Sequence, residues 1–181
     1  MPTTTAPVDD AATLSTRSPV RGWLAVVSVM LGIFAIVTTE ILPIGLLTSI
    51  GASFTISDGM AGLMMTMPGF LAAVSAPLVT VATARVDRRV MLCVFVLLLA
   101  LANFAAAAAP AYWLVLASRI VVGITIGGFW SIGAGLAERL VPPARVGRAT
   151  SVIFSAVPLG SVLGVPAGTL IGDLAGWRTA F

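Results

Sequence analysis

The chain has 181 residues, of which 59% are hydrophobic and only 9% are charged. A soluble domain carries about 25% charged residues, so this composition excludes an ordinary soluble fold. The net charge of +3 is the difference between ten basic and seven acidic residues, and all ten basic residues are arginines. Apart from Arg119, these arginines lie before, between or after the apolar runs instead of on one soluble surface, which excludes a nucleic acid as partner.

The chain begins with a polar segment and continues as a series of apolar runs. Residues 1–20, rich in Thr, Ser, Pro and Asp, have too few large apolar groups to fold and predict a disordered tail. A membrane-spanning helix needs about 20 mostly apolar residues. Five stretches reach that length: span 1 (residues 22–50), span 2 (60–84), span 3 (90–109), span 4 (112–137) and span 5 (149–172). The sequence therefore predicts an all-α membrane protein with five transmembrane helices in residues 21–181.

The arginines in the links indicate the orientation of the spans. If the five spans alternate in direction, the links on one side carry eight arginines and those on the other side carry only Arg178. Arginine accumulates in the short loops that face the cytoplasm. We therefore predict a cytoplasmic N-terminus in a bacterial inner membrane. The eight arginines are Arg17, Arg21, Arg85, Arg88, Arg89, Arg139, Arg145 and Arg148.

Small residues recur at intervals of four in spans 4 and 5. Such spacing places them on one helix face, where two helix backbones can approach closely. This predicts tight helix packing, and we leave open whether the faces are static or also slide. The residues are Gly123, Gly127, Ser131 and Gly135 in span 4, and Gly160, Gly164, Gly168 and Gly172 in span 5.

Two ionisable residues interrupt the apolar runs, Glu40 in span 1 and Arg119 in span 4. A charge in the middle of a membrane costs roughly 2.5–3.5 kcal/mol on insertion scales, so such residues face a cavity or a partner. Their depths, roughly 15 Å and roughly 10 Å below the outer helix ends at about 1.5 Å per residue, allow a shared cavity. We interpret them as a proton- and substrate-coupling site. The alternatives are a structural ion pair, or an arginine that reaches the interface.

Other polar and aromatic side chains are candidates for the wall of that cavity. Pro43 and Gly45 should bend or loosen span 1 just beyond Glu40. Aromatic residues in membrane helices more often face lipid or the helix core, which is the alternative for the aromatic candidates. The cavity candidates are Thr38, Thr39, Phe34, Phe129 and Trp130.

The link between spans 2 and 3 is compact and carries both signs of charge. We predict that it forms a cytoplasmic gate loop, whose contacts with a neighbouring helix end break when the gate opens. An exposed ion pair contributes only about 0–1 kcal/mol, which suits a reversible contact. The alternative is a role in topology alone. The residues are Arg85, Asp87, Arg88 and Arg89.

Four segments carry motifs: Thr38–Ile41 followed by Gly45–Leu47, Leu116–Gly123, Gly160–Gly168, and Gly176–Arg178. They resemble the major facilitator superfamily, specifically its twelve-span drug:proton antiporter group. The first is similar to the first-helix motif of bacterial arabinose, purine-nucleoside and chloramphenicol exporters. The second resembles the fourth-helix motif, whose arginine is implicated in proton coupling. The third resembles the fifth-helix antiporter motif, here Gly160, Gly164, Pro166, Gly168 and Gly172.

The resemblance implies a transporter of two six-helix halves, each an inverted 3+3 repeat. Residues 21–181 then supply five helices of the N-terminal half, and 178–181 look like the start of a sixth. The missing C-terminal half, protons, a small-molecule substrate and the lipid bilayer are the expected partners. The link between spans 2 and 3 departs from the family pattern, with Thr80 and Ala84 in place of Gly and Asp, and Asp87 in place of Gly.

The expected function is proton-coupled efflux, by alternating access, of small organic molecules such as drugs, sugars or nucleosides. The alternative is a non-transporting membrane scaffold, which would have no need of Glu40 and Arg119 in apolar runs. An intramembrane enzyme is the weakest interpretation and is not expected, since the chain has no histidine, no set of metal ligands and no serine with a plausible base on a facing helix. With one cysteine, Cys93, it offers no metal site, and no cofactor is expected.

The predicted topology can be tested by cysteine labelling. A cysteine introduced near Arg88 or Arg145, or a tag at the N-terminus, should be reachable only from the cytoplasm, because the arginine-rich links stay on that side. A cysteine near Asp58 or Pro110 should react with a reagent added from outside. The opposite labelling pattern would overturn the helix count or the orientation.

Overall fold

A computed structural model describes residues 19–133 and 135–181, and these residues are helical without any β-strand. The tail predicted at residues 1–20 lies almost entirely outside the described residues. Span 1 consists of helix Pro19–Ile41, the 3-10 segment Leu42–Leu46 and helix Leu47–Phe54. Span 2 is Asp58–Ala82, span 3 is Arg88–Ala107 and span 4 is Tyr112–Gly133. Span 5 consists of the 3-10 turn Pro143–Arg145 and helices Val146–Phe154 and Ala156–Ala175. The short helix Ala137–Leu140 precedes span 5, and the 3-10 turn Trp177–Ala180 follows it.

All five spans are long and apolar enough to cross a membrane, with mean hydropathies between 1.6 and 2.6. The predicted all-α fold with five spans is therefore confirmed for the described residues. Side chains in the links define two of the helix starts. The Oγ of Ser57 accepts a hydrogen bond from the backbone N–H of Met60 (3.3 Å), and Asp87 accepts one from that of Arg89 (2.8 Å). Both are N-caps, which satisfy backbone donors at a helix start.

Prolines explain where two of the spans change their helical form. Pro43 has no N–H to donate to the carbonyl of Thr39, and span 1 tightens into a 3-10 segment at Leu42–Leu46. This is the distortion that Pro43 and Gly45 predict. In span 5, Pro158 leaves the carbonyl of Phe154 without its N–H donor, and the helix is interrupted at Ser155.

The spans pack in two close pairs, span 2 with span 4 and span 1 with span 5, while span 3 packs on span 4. Glycines make both close pairs possible. A Cβ at Gly123 would lie 2.7 Å from the carbonyl oxygen of Pro68, and one at Gly168 would lie 3.1 Å from that of Leu42. The glycine faces of spans 4 and 5 therefore meet different partners within the chain. Gly135 has nothing within 4 Å and takes no part in this packing.

Gly127→Ala should destabilise the protein, because the new Cβ would lie 2.5 Å from the carbonyl oxygen of Ala72 and 3.0 Å from the backbone nitrogen of Ala76. Overpacking of this kind costs about 1–3 kcal/mol. Thermal unfolding of the purified protein in detergent should show a lower midpoint.

Gly69→Ala is the matched control, since a Cβ at Gly69 would meet nothing within 4 Å. That variant should be neutral or slightly stabilised, because alanine favours a helix by up to about 1 kcal/mol over glycine. Equal midpoints for the two variants would mean that spans 2 and 4 are not in backbone contact.

Candidate functional site

Arg119 is the centre of a polar cluster that joins three spans. Its side chain is only 1% exposed. Its Nη1 donates a hydrogen bond to the carbonyl oxygen of Thr39 (3.2 Å), and its Nη2 donates one to Oδ1 of Asn103 (3.4 Å). In a regular α-helix the carbonyl of Thr39 would accept from residue 43, which is a proline here. Arg119 of span 4 thus binds a carbonyl that the proline of span 1 leaves free.

Asn103 of span 3 completes this cluster, although it is not among the site residues predicted from the sequence. Its Nδ2 donates to Oγ1 of Thr39 (3.1 Å), while its Oδ1 accepts from Arg119. A neutral amide within an apolar run is a weak signal in a sequence, although a polar side chain in a membrane helix generally has a partner on another helix. Its position within an apolar run is therefore the sequence signal that marks Asn103 as a candidate for a contact between spans. The cluster of Thr39, Asn103 and Arg119 is called the polar triad below.

Glu40 follows Thr39 directly and is partly exposed. Within the described residues, the hydrogen bonds of Arg119 go to Thr39 and Asn103, and Glu40 is not among its partners. Arg119 therefore bonds the residue that precedes Glu40, and among the described residues the two charges form no ion pair. The carboxylate stays available for other interactions.

The cavity candidates do not form a single wall. Thr39 belongs to the polar triad, whereas Thr38 lies beside Gly164 and its Oγ1 is buried without a hydrogen-bond partner among the described residues. Phe129 is 1% exposed and its ring fills the space beside Gly32. The ring centroid of Trp130 lies 5.8 Å from that of Phe154. Phe34 is partly buried, and its carbonyl faces Gly160 of span 5.

The predicted gate loop lies at one end of the molecule, called the Arg-rich end below. Its residues Arg85, Asp87, Arg88 and Arg89 are all exposed. They line an open groove of about 1710 Å³, together with Arg21 and Arg139, and the side chain of Phe129 also lines it. The hydrogen bond that the structure gives Asp87 is the N-cap of span 3, not a contact with a neighbouring helix.

The antiporter-motif residues of span 5 lie against span 1. Gly160, Gly164 and Gly168 are buried, and a Cβ at each would approach Val37, Thr38 or Leu42 respectively. A Cβ at Gly172 would meet Leu46. Pro166 is exposed on the other side of the helix. The motif thus supports the close pairing of these two spans.

The opposite end is closed by aromatic side chains and is called the aromatic end below. Trp177 is only 5% exposed, and its Nε1 donates a hydrogen bond to Oγ of Ser53 (2.9 Å). Its ring lies 5.6 Å from that of Phe54. Arg178 lies over the ring of Trp177 and donates to the carbonyl oxygen of Ala109 (3.2 Å). The Gly176–Phe181 segment therefore ties the ends of spans 1, 3 and 5 together.

Phe181 connects the aromatic end to the polar triad. The centroid of its ring lies 5.0 Å from Cζ of Arg119, a cation–π distance. The same ring stands edge-on to Trp177, with centroids 6.1 Å apart and an interplanar angle of 87°. The guanidinium of Arg119 is therefore covered by Phe181 on one face and bonded to Thr39 and Asn103 through its terminal nitrogens.

Asn103→Leu should destabilise the protein, because Nη2 of Arg119 and Oγ1 of Thr39 would each lose a partner. A buried polar group left unsatisfied costs about 1–3 kcal/mol. Thr66→Val is the control, since the hydroxyl of Thr66 bonds only the carbonyl of Leu63 in its own helix. Denaturant unfolding should separate the two variants, and equal stabilities would show that the polar triad does not hold the spans together.

Comparison with known proteins places the chain in a family. The sequence model of the Major Facilitator Superfamily matches residues 22–181. The purine ribonucleoside efflux pumps NepI of Escherichia coli strain K12 and of Shigella flexneri are each 38% identical to the chain over 159 residues. That match covers 88% of this chain and 40% of each pump, so the chain spans less than half the length of these relatives. The chain therefore belongs to the major facilitator superfamily, a family of transporters and not of enzymes, and its five apolar helices make it a multi-pass membrane protein.

Proposed function

We propose that the chain forms part of a proton-coupled exporter of small organic molecules, with purine ribonucleosides as the first candidate substrates. The family and the similarity to efflux pumps support export as the direction of transport. Those relatives are purine ribonucleoside efflux pumps, which supports purine ribonucleosides as the substrate class. The bacterial origin of those relatives also favours an inner-membrane location with the Arg-rich end in the cytoplasm.

The observation that carries the proposal is the position of Glu40 beside the polar triad. Its carboxylate lies within an apolar span, one residue after Thr39, whose carbonyl binds the guanidinium of Arg119. A carboxylate in a membrane helix marks an ion or proton pathway by default. Because Glu40 forms no ion pair with Arg119 among the described residues, its carboxylate is the group that we expect to bind and release the transported proton.

In this proposal Glu40 binds a proton in one state and releases it in the other, and substrate binding alternates with protonation. Arg119 holds span 1 in place at the residue before this carboxylate, through its hydrogen bond to the carbonyl of Thr39. The 3-10 segment Leu42–Leu46 gives span 1 a deformable point just beyond Glu40. The close pair of spans 1 and 5 would move as one unit during alternating access.

A transporter of this kind also needs helices beyond the five spans of this chain. The relatives are longer than this chain, and a rocking mechanism needs two halves that line one cavity. We propose a C-terminal half as the partner of these five spans. The gate loop Arg85–Arg89 would then contact that half at the Arg-rich end when the groove closes.

Glu40→Gln in the full-length protein should abolish uphill transport and leave exchange intact, because glutamine keeps the shape of the side chain but cannot titrate. Proteoliposomes with an imposed pH gradient should fail to accumulate labelled adenosine above its equilibrium level. The same vesicles should still exchange labelled for unlabelled adenosine, since exchange needs no net proton movement.

Glu138→Gln is the matched control, because Glu138 is an exposed residue in the short helix between spans 4 and 5. It should accumulate substrate like the unmodified protein. If Glu40→Gln still concentrates adenosine against its gradient, the carboxylate is structural and the coupling site is wrong. If no small molecule moves with the gradient in the unmodified protein, the scaffold interpretation is favoured.

A further inference from the structure

We propose that the groove at the Arg-rich end binds an anionic phospholipid of the adjacent bilayer leaflet, with its phosphate at the rim and an acyl chain along the wall below. Such a site is independent of the transported substrate and of proton coupling. Two features of the groove support it, the charge of its rim and the apolar wall beneath that rim.

The rim of the groove carries a concentrated positive charge. Five guanidinium groups line the groove, and among the described residues only one carboxylate, that of Asp87, lines it with them. That carboxylate already accepts a hydrogen bond from the backbone N–H of Arg89 at the start of span 3. The rim therefore attracts an anion. The five arginines are Arg21, Arg85, Arg88, Arg89 and Arg139.

Two of these arginines come from segments that lie against each other. A Cβ at Gly22 would meet the carbonyl oxygen of Leu140, so the start of span 1 contacts the short helix Ala137–Leu140. Arg21 directly precedes Gly22, Arg139 directly precedes Leu140, and both arginines line the groove. Like charges on adjoining segments repel each other. A phosphate group that accepts hydrogen bonds from both would replace this repulsion with attraction.

The wall below the rim is apolar. Span 3 lines it with side chains that stay open to the surroundings, since Leu97 is 59% exposed and Val96 is 42% exposed. The buried ring of Phe129 on span 4 lines the same groove. The lining residues of span 3 lie within 92–100, a rise of about 12 Å at about 1.5 Å per residue. One leaflet supplies roughly 15 Å of hydrocarbon, half of the bilayer core, so the wall is as deep as an acyl chain is long.

An anionic phospholipid matches both features at once. Its phosphate oxygens accept hydrogen bonds from guanidinium groups, and its acyl chain covers exposed apolar side chains. Basic pockets between transmembrane helices bind anionic headgroups in this way. A soluble anion would occupy the rim and leave the wall uncovered. An apolar helix would cover the wall and leave the guanidinium groups without an opposite charge.

The test uses Cys93, which is exposed and lines the groove. A fluorophore is attached to Cys93 in a full-length protein that has no other cysteine, and lipids with brominated acyl chains quench it on contact. In phosphatidylcholine bilayers, brominated phosphatidylglycerol should reach half-maximal quenching at a mole fraction about tenfold lower than brominated phosphatidylcholine. This follows because each arginine near the lipid surface strengthens binding by about fivefold. High salt should reduce the preference, since it screens exposed charges.

Arg21→Gln and Arg139→Gln should each lower the preference for phosphatidylglycerol by about threefold to fivefold, because each removes one guanidinium from the rim. Arg145→Gln is the matched control, since it removes the same charge at the same end from a residue that does not line the groove. A fluorophore on Leu24→Cys in a Cys93→Ser background, on an exposed face of span 1 outside the groove, should show little preference.

Four outcomes would overturn the proposal. Equal quenching by the two lipids at Cys93 would exclude selection of an anionic lipid. A preference that Arg21→Gln and Arg139→Gln leave unchanged would place the headgroup elsewhere. Quenching at Leu24→Cys without quenching at Cys93 would show that a helix from the rest of the transporter fills the groove. Displacement of the brominated lipid by millimolar inorganic phosphate would make the rim a site for free anions.

Discussion

The hydrogen bond between Arg119 and the carbonyl of Thr39 is the constraint around which the rest of the site is built. A polar group without a hydrogen-bond partner raises the free energy of the protein in an apolar medium. The guanidinium of Arg119 needs partners because it is charged, and the carbonyl of Thr39 needs one because Pro43 has no N–H to donate. Together they satisfy each other at 3.2 Å. The bond fixes span 4 against span 1 at the level where span 1 changes to a 3-10 segment, and Asn103 adds span 3 to the same point.

The two close helix pairs reflect the internal symmetry of the family. In an inverted 3+3 repeat, span 1 corresponds to span 4 and span 2 corresponds to span 5. The pair of spans 2 and 4 therefore corresponds to the pair of spans 5 and 1. The structure contains both pairs, and each depends on glycines where backbone atoms of one span approach the other. The glycines lie on span 4 in one pair; in the other they lie on span 5, together with Gly45 of span 1. Two tight units thus surround the polar triad, and van der Waals contact between backbones holds each of them.

The two ends of the molecule differ in chemistry and in access. The Arg-rich end is open, with a groove between exposed guanidinium groups, whereas aromatic rings and the bonds of Trp177 and Arg178 close the other end. The polar triad lies nearer the aromatic end, below Phe181.

The sequence by itself determined the five spans and the two charges within them, because apolar length and the cost of a buried charge are properties of a single segment. It also located the break at Pro43, since a missing N–H has a local effect. Only the tertiary structure decided the partners. Arg119 binds Thr39 and Asn103 instead of Glu40, Trp177 is buried, and the glycine faces of spans 4 and 5 meet different helices. These contacts join residues up to 124 positions apart, and they depend on how each helix is rotated and packed, which apolar length and composition alone do not fix.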